Sequence, residues 1–333
     1  MQANRSIVNA VIALLAALAL QLPDLAFDPS SFWYSRIPAD VSLHPNSAAL
    51  AAEFLRQKNA YYGTVTINTA DYSSAVYAAD TTTPFVRVAE WDCQGKGFSD
   101  PGLAQQWLAV PVPSNAAPAG GTDAEMTVYS PATDELWDFW NTRKVDSQWQ
   151  ACWGGRIQNV SRGPGIFAYP YGASATGLPY APGQITAEEL QAGEIRHVIG
   201  IALVDTERFS IYSYPANRSD GYNPAGTPNR IPEGLRFRLD PAVNVDALHL
   251  HPVARIIAKT AQTYGFVVWD KAGAVSLRAR NPLSYTQRGV PDPYVALFNG
   301  TPAYAILNGF PWDKLQFLPF DYGKPRRRAA RHP

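Results

Sequence analysis

Charge is scarce in this chain. Of its 333 residues only 17% are Asp, Glu, Lys or Arg, and 28 cations balance 28 anions to a formal net charge of zero. With 46% hydrophobic residues, the composition excludes a chain kept disordered by its own charge. It also leaves the body without the basic surface that nucleic acid needs. The one dense run of cations is the end of the chain, residues 324–333, which carries Lys324, Arg326, Arg327, Arg328 and Arg331 and reads as a basic, disordered tail.

Cysteine is nearly absent. Cys93 and Cys152 are the only two, too few for a disulfide-rich scaffold or a cysteine zinc site. In an exported protein they are expected to form one disulfide; the alternative is two buried thiols. Phosphate-binding loops, dinucleotide fingerprints and the Gly-x-Ser-x-Gly elbow are missing as well, which argues against nucleotide-binding, dehydrogenase and α/β-type serine hydrolase readings.

Long hydrophobic runs are confined to residues 7–22, preceded by Arg5 and followed by Pro23 and Asp24. The pattern is that of a secretory signal, so residues 1–26 are read as a signal peptide or an N-terminal anchor. No internal repeat, heptad or low-complexity segment follows. Residues 27–323 are expected to form a single domain.

Aromatic residues and turn formers are plentiful: 17 Tyr, 9 Trp, 24 Gly and 28 Pro. Together with low charge they describe a β-rich extracellular chain. The spacing predicts a helix over 46–59, a short helix opened by a capping box at Thr186 and Glu189, and a third from Pro252 to Tyr264. Strands at Glu125–Tyr129, Leu136–Trp140 and Trp149–Ile157, joined by short turns, predict an antiparallel meander. Further strands are expected at His197–Val204 and Phe209–Tyr214, at Leu235–Asp240 as a half-exposed strand, and at Phe266–Asp270 and Ala274–Leu277 as a hairpin. The expected class is mainly β: an antiparallel β-sandwich or jelly roll with a few short helices.

Several strings carry a family resemblance. They are Ser31-Phe-Trp-x-x-x-Ile-Pro-Ala-Asp40, Gly121-Thr-Asp-Ala124, Trp153-Gly-Gly-Arg156, Gly172-Ala-Ser-Ala-Thr-Gly-Leu-Pro179, Arg218-Ser-Asp-Gly221 and Ile231-Pro-Glu-Gly-x-Arg-Phe-Arg-Leu-Asp240. With these the chain resembles exported β-rich proteins of actinomycetes and related soil bacteria over nearly its whole mature length. The resemblance implies location and domain extent, and carries no mechanism. That pattern commonly has His at position 125, where this chain has Glu125.

Candidate chemistry lies in polar residues set among aromatics. Asp123 and Glu125, two apart on a strand, would face one side and could act as the acid and the base or nucleophile of glycoside hydrolysis, with Asp138 on the neighbouring strand. His197, at the head of a strand, is a candidate base. With Arg218 and Asp220 in one pocket it would suit a polysaccharide lyase, whose Arg neutralises the uronate. Arg218, Tyr222 and Asn223 are candidate sugar-binding groups on a loop, and Trp137 and Trp153 candidate stacking platforms. Asp123, Glu125, His197 and Asp220 are thus the expected catalytic set. His249, His251 and Asp246 read as a helix entry, so no metal and no cofactor are expected. The function expected is an exported carbohydrate-active enzyme, a glycoside hydrolase or polysaccharide lyase acting on a polysaccharide. The alternative is a non-catalytic glycan-binding or surface protein. A glycan is the expected partner, nucleic acid is not, and membrane contact would come only through the leader.

Overall fold

A computed structural model describes residues 26–325. The leader, apart from its last residue, and the basic tail beyond Pro325 lie outside the described residues. In chain order the strands are β1 (Thr66–Asn68), β2 (Ala75–Ala78), β3 (Phe85–Val86), β4 (Val88–Glu90), β5 (Val110–Pro111), β6 (Met126–Ser130), β7 (Glu135–Trp140), β8 (Arg143–Val145), β9 (Gln148–Ala151), β10 (Trp153–Gln158), β11 (Ile199–Leu203), β12 (Arg236–Leu239), β13 (Phe266–Lys271), β14 (Ser276–Arg278) and β15 (Leu315–Phe317). The longest helices are Ser47–Ala60 and Pro252–Thr263.

The strands make a β-rich fold with two larger sheets. One has the order β1-β14-β11-β13-β12-β15 and the other β10-β7-β6-β2. Pairing is mixed, which departs from the purely antiparallel arrangement expected: β1 with β14, β11 with β13 and β2 with β6 all run parallel. The expected meander is present as β6, β7 and β10. Its third strand breaks at Cys152, so that β9 pairs away with β4 and β8.

Three local expectations need correction. The strands β13 and β14 are not a hairpin, because β11 lies between them. β11 is buried along its whole length, and such a strand belongs at the centre of a sheet. Residues 209–214 form no strand but part of an irregular connection up to β12. Finally, β12 is buried on both faces. Arg236 donates to the Ser35 hydroxyl and to the carbonyls of Ser35 and Tyr264, and Arg238 to Gln316 and to the carbonyls of Pro38 and Ala39. The extended segment around residues 35–39 covers that face, so the polar half of the alternation is buried yet hydrogen-bonded.

The helices form where caps and apolar spacing predict them. Thr186 and Glu189 exchange the two bonds of a capping box. The Pro252–Thr263 helix buries Val253, Ile257 and Ala261 against the core of the six-stranded sheet. A separate aromatic core joins the two sheets. It contains Val76, Leu136 and Ile157 from the four-stranded sheet, Val267 and Trp269 from the six-stranded one, and Phe167, Leu178 and Tyr180 from the glycine-rich segment 163–183. That segment is largely interior, which is unusual for a loop because its backbone groups then need protein partners. Its glycines explain how it fits: a Cβ on Gly183 would meet the Trp269 ring at 2.3 Å, and one on Gly172, whose φ is +112°, would come within 3.0 Å of the Gly177 Cα.

Candidate functional site

Where the glycine-rich segment crosses the ends of the sheets, an open cleft of about 430 Å³ remains. Three carboxylates line it: Asp123, Asp220 and Asp270. The rings of Trp140, Trp153 and Tyr180 share the wall with the cations Lys96, Arg218 and Lys271.

Asp270 ends β13. Register between β11 and β13 slips at this point, Ile201 facing Val268 and Ala202 facing Asp270, so Trp269 is an extra residue. Such a bulge re-aims the following side chain. Here it sends Trp269 into the aromatic core and Asp270 to the cleft. The Asp270 carboxylate accepts from the backbone N–H of Lys271 at 3.1 Å, more weakly from that of Ala175 at 3.4 Å, and from Arg278 at 2.7 Å. Arg278 also donates to Glu125, behind the cleft wall, and lies over the Tyr180 and Trp269 rings. Two carboxylates therefore share one buried guanidinium. Burial pushes Glu125 up to about 7 and Asp270 up to about 6, against the pull of Arg278. One oxygen of Glu125 and the Nε of Arg278 are buried without a partner.

Asp123 sits just before β6 and accepts from the Trp140 indole N–H at 3.1 Å. The strand alternation expected to bring Asp123 and Glu125 to one face is broken by Ala124, whose φ is +40°. Asp123 faces the cleft and Glu125 the interior. Asp138 is also interior, accepting from Thr127 and from the N–H of Tyr180, and burial pushes it up to about 7.

Arg218 reaches the cleft wall, but its Nε and Nη2 donate to the carbonyls of Ala175, Gly172 and Ser174. Its first role is thus to satisfy the buried glycine-rich segment, a different task from the sugar recognition expected of it. Asp220 is half exposed, with its carboxylate 3.9 Å from the Lys271 ammonium.

Trp153 stacks on Tyr171, centroids 6.1 Å apart and planes 25° apart, with the Lys96 ammonium 5.4 Å from its ring. The expected disulfide is present and helps to build this wall. Cys93 and Cys152, with Cα atoms 5.6 Å apart, tie Gln94 and Lys96 beside Trp153.

The remaining expected site residues lie elsewhere. His197 donates from Nδ1 to the Val198 carbonyl and pairs with Glu189 through Nε2 at 3.0 Å. It does not line the cleft. The hairpin that would have carried it toward Arg218 and Asp220 does not form. Burial alone would depress its pKa, but the Glu189 carboxylate overcomes this and the net shift is upward. Trp137 is fully buried and donates to the Gln106 carbonyl. Tyr222 is exposed outside the cleft, and Asn223 closes its own loop through Thr227 and Glu207. His251 accepts from the N–H of Val253 as a helix cap and Asp246 pairs with Lys259. Among the described residues no group of three or more His, Cys, Asp or Glu is placed to hold a metal ion.

Asp270, Tyr180 and Lys271 were not expected at a site. The available signal was an acid closing an apolar strand, Phe266–Trp269, where a strand end often carries function. No protein-family model matches the chain, and no curated protein or solved structure is detectably similar to it.

Proposed function

We propose that the protein is an exported carbohydrate-active enzyme that admits a glycan to the Asp123–Asp220–Asp270 cleft and hydrolyses it. One observation carries this reading: three carboxylates and the half-buried rings of Trp140 and Trp153 line one open, polar cleft. Flat rings suit the apolar faces of sugars, and carboxylates suit their hydroxyls. Hydrolysis of a glycosidic bond requires one carboxyl group that protonates the leaving oxygen and a second that serves as base or nucleophile. We assign the base or nucleophile to Asp123, oriented by the Trp140 indole, and the acid to Asp220. Elimination is disfavoured because the expected base, His197, is engaged with Glu189 away from the cleft. The two larger sheets, joined by their aromatic core, serve as a sandwich-like frame, and export rests on the leader pattern with the disulfide.

A second reading, a non-catalytic glycan-binding protein, is favoured by the rigidity of the cleft. Asp270 and Arg218 are already engaged by protein groups, as in a pre-formed binding surface. The two readings separate when the purified protein is incubated with a panel of neutral and uronic polysaccharides. Release of reducing ends, without the ultraviolet absorbance of an unsaturated product, is expected, and Asp123→Asn is expected to slow it by about 10²–10⁴-fold. Binding without release supports the second reading, and neither binding nor release on any glycan sinks both.

A further inference from the structure

Behind Asp220 lies a carboxyl group that the hydrolytic reading has not used. Glu233 is fully buried. One of its carboxyl oxygens accepts from the backbone N–H of Asp220 at 3.3 Å, and the other is buried without a hydrogen-bond partner. An ionised carboxylate in that state would be costly, since only the long bond from the Asp220 N–H and the Ser219 side chain replace its lost hydration. Both residues are held by turns that tolerate no side chain at the adjoining glycine. A Cβ on Gly234, whose φ is +80°, would come within 1.8 Å of the Ser213 carbonyl, and one on Gly221 within 1.8 Å of the Glu207 carbonyl. The Asp220 N–H bond thus holds the buried Glu233 carboxyl group against Asp220, whose own side chain is open to the cleft.

We propose that Asp220 and Glu233 form a proton-sharing carboxyl pair, with Asp220 as the member that hands the proton to the substrate and Glu233 as the residue that keeps it there. The proposal rests on the hydrolytic reading for its substrate, but the pairing itself does not. Two carboxyl groups in contact resist being ionised together. Burial, followed by the neighbouring Asp220 charge, holds Glu233 well above the ordinary carboxylate range. The other charged groups that face the pair are Asp270 and Arg218 near Glu233, and Lys271 near Asp220. Lys271 lies 3.9 Å from the Asp220 carboxyl group, on the cleft side of the pair.

The step balances as follows. The shared proton passes from Asp220 to the glycosidic oxygen, and the bond between that oxygen and the anomeric carbon breaks, its electron pair going to the leaving oxygen. In an inverting enzyme the oxygen of one water molecule bonds to the anomeric carbon as its proton goes to Asp123, which returns it to solvent while the Asp220–Glu233 pair takes up another. In a retaining enzyme Asp123 first bonds to the anomeric carbon; water then displaces it, the electron pair of that bond going back to the Asp123 carboxylate and the water's proton to Asp220. Either way one water is consumed and both acids are restored.

Infrared and carboxyl-carbon NMR titration of the full chain tests the pair without any glycan. One protonated carboxyl assigned to the pair is expected to persist through pH 7 and to vanish in Glu233→Gln. Ionisation of both groups within the ordinary carboxylate range of the unaltered protein would overturn the proposal, and this measurement decides the matter even if Glu233→Gln fails to fold. With a glycan that is turned over, Glu233→Gln is expected to move the alkaline limb of the rate profile to lower pH, because the buried partner that holds the shared proton is gone. Asp220→Asn is expected to lower the rate by about 100-fold or more. An unmoved limb in folded Glu233→Gln would overturn the donor role. A retained proton with no turnover on any glycan would overturn both the hydrolytic reading and the donor role, while the shared proton would stand.

Discussion

Two buried ionic sites in this molecule look alike in composition and differ in balance. At the head of β11, His197 and Glu189 make one cation for one anion, and Glu189 also completes the capping box of the Ala187–Ala192 helix. Behind the cleft, Glu125 and Asp270 share the single guanidinium of Arg278, and Asp220 leans on a buried Glu233. The first site is closed and matched. The second carries more carboxyl groups than cations, with unpartnered polar atoms on Glu125, Arg278 and Glu233. A matched pair is explained by architecture alone, whereas surplus buried acid is costly and is found where proton affinity has been adjusted for use. The residue type most often associated with proton transfer, histidine, is therefore on the architectural side here.

The largest effect that would sharpen the contrast is removal of Arg278. Arg278→Met leaves two carboxylates buried with no cation, and a stability loss of about 3–5 kcal/mol near neutral pH is expected. Denaturant unfolding measures it. Because Glu125, Asp138 and Asp270 are raised from near 4 to about 7, 7 and 6, the folded state of the unaltered protein holds more protons than the unfolded chain between those limits. The contribution of these three groups to stability is therefore fully present below the unfolded values and is lost as pH rises through 6 and 7. Arg278→Met should steepen that fall, and near-equal stability at pH 5 and pH 8 in the variant would break the argument.

Next in size is the disulfide. Cys93 and Cys152 are 59 residues apart, and closing a loop of that length is worth about 4 kcal/mol in the chain-entropy account. Cys93→Ser with Cys152→Ser is expected to lose about 2–4 kcal/mol and to loosen the Gln94–Lys96 wall of the cleft. Breaking the bond should therefore impair glycan binding as well as stability, measured together by calorimetry. Unchanged binding in the folded variant would detach the disulfide from the site.

The closed site should respond more weakly. His197→Gln is expected to cost about 1–3 kcal/mol through the loss of a buried partner for Glu189. The cost should be larger at pH 6 than at pH 9: the raised histidine pKa stabilises the fold fully below the ordinary value and ceases to do so once pH passes the folded one. Cleft binding and turnover are expected to stay unchanged. A loss of turnover out of proportion to stability would return His197 to the chemistry.

What could be read from the residues alone follows the range of the interactions involved. Caps, short turns and the three-strand meander depend on near neighbours, so Thr186 with Glu189, Pro252 and the β6–β7 pair were legible. The parallel partners of β1, β2 and β11 come from distant parts of the chain and leave no local mark. Alternation on β12 was visible, but only the distant segment around Ser35 decides that Arg236 and Arg238 are covered. Within the site, Asp123, Asp220 and Trp153 were accessible as polar or aromatic residues next to turns. Asp270 was not, because an acid at the end of an apolar strand is also how a strand stops, and only the bulge at Trp269 aims it inward. Glu233, between Pro232 and Gly234, looks like an ordinary turn residue until the fold buries it.

The smallest effect on stability is expected at Trp153, and this makes it the cleanest probe of the cleft. Its ring is partly exposed, stacked on Tyr171 and flanked by Lys96, and its strand β10 stays paired to β7 through backbone bonds that a substitution leaves in place. Trp153→Ala should therefore cost little stability compared with Trp137→Ala, whose ring is fully buried and would leave a cavity worth about 3–5 kcal/mol. Binding should show the reverse order. Loss of an exposed aromatic platform is expected to weaken glycan affinity by about tenfold or more, while any folded Trp137 variant should bind as before. Titration calorimetry of the two variants with a bound glycan gives the answer. Equal weakening in both would mean that affinity follows general loosening of the fold rather than contact at the cleft, and the aromatic half of the site assignment would fall.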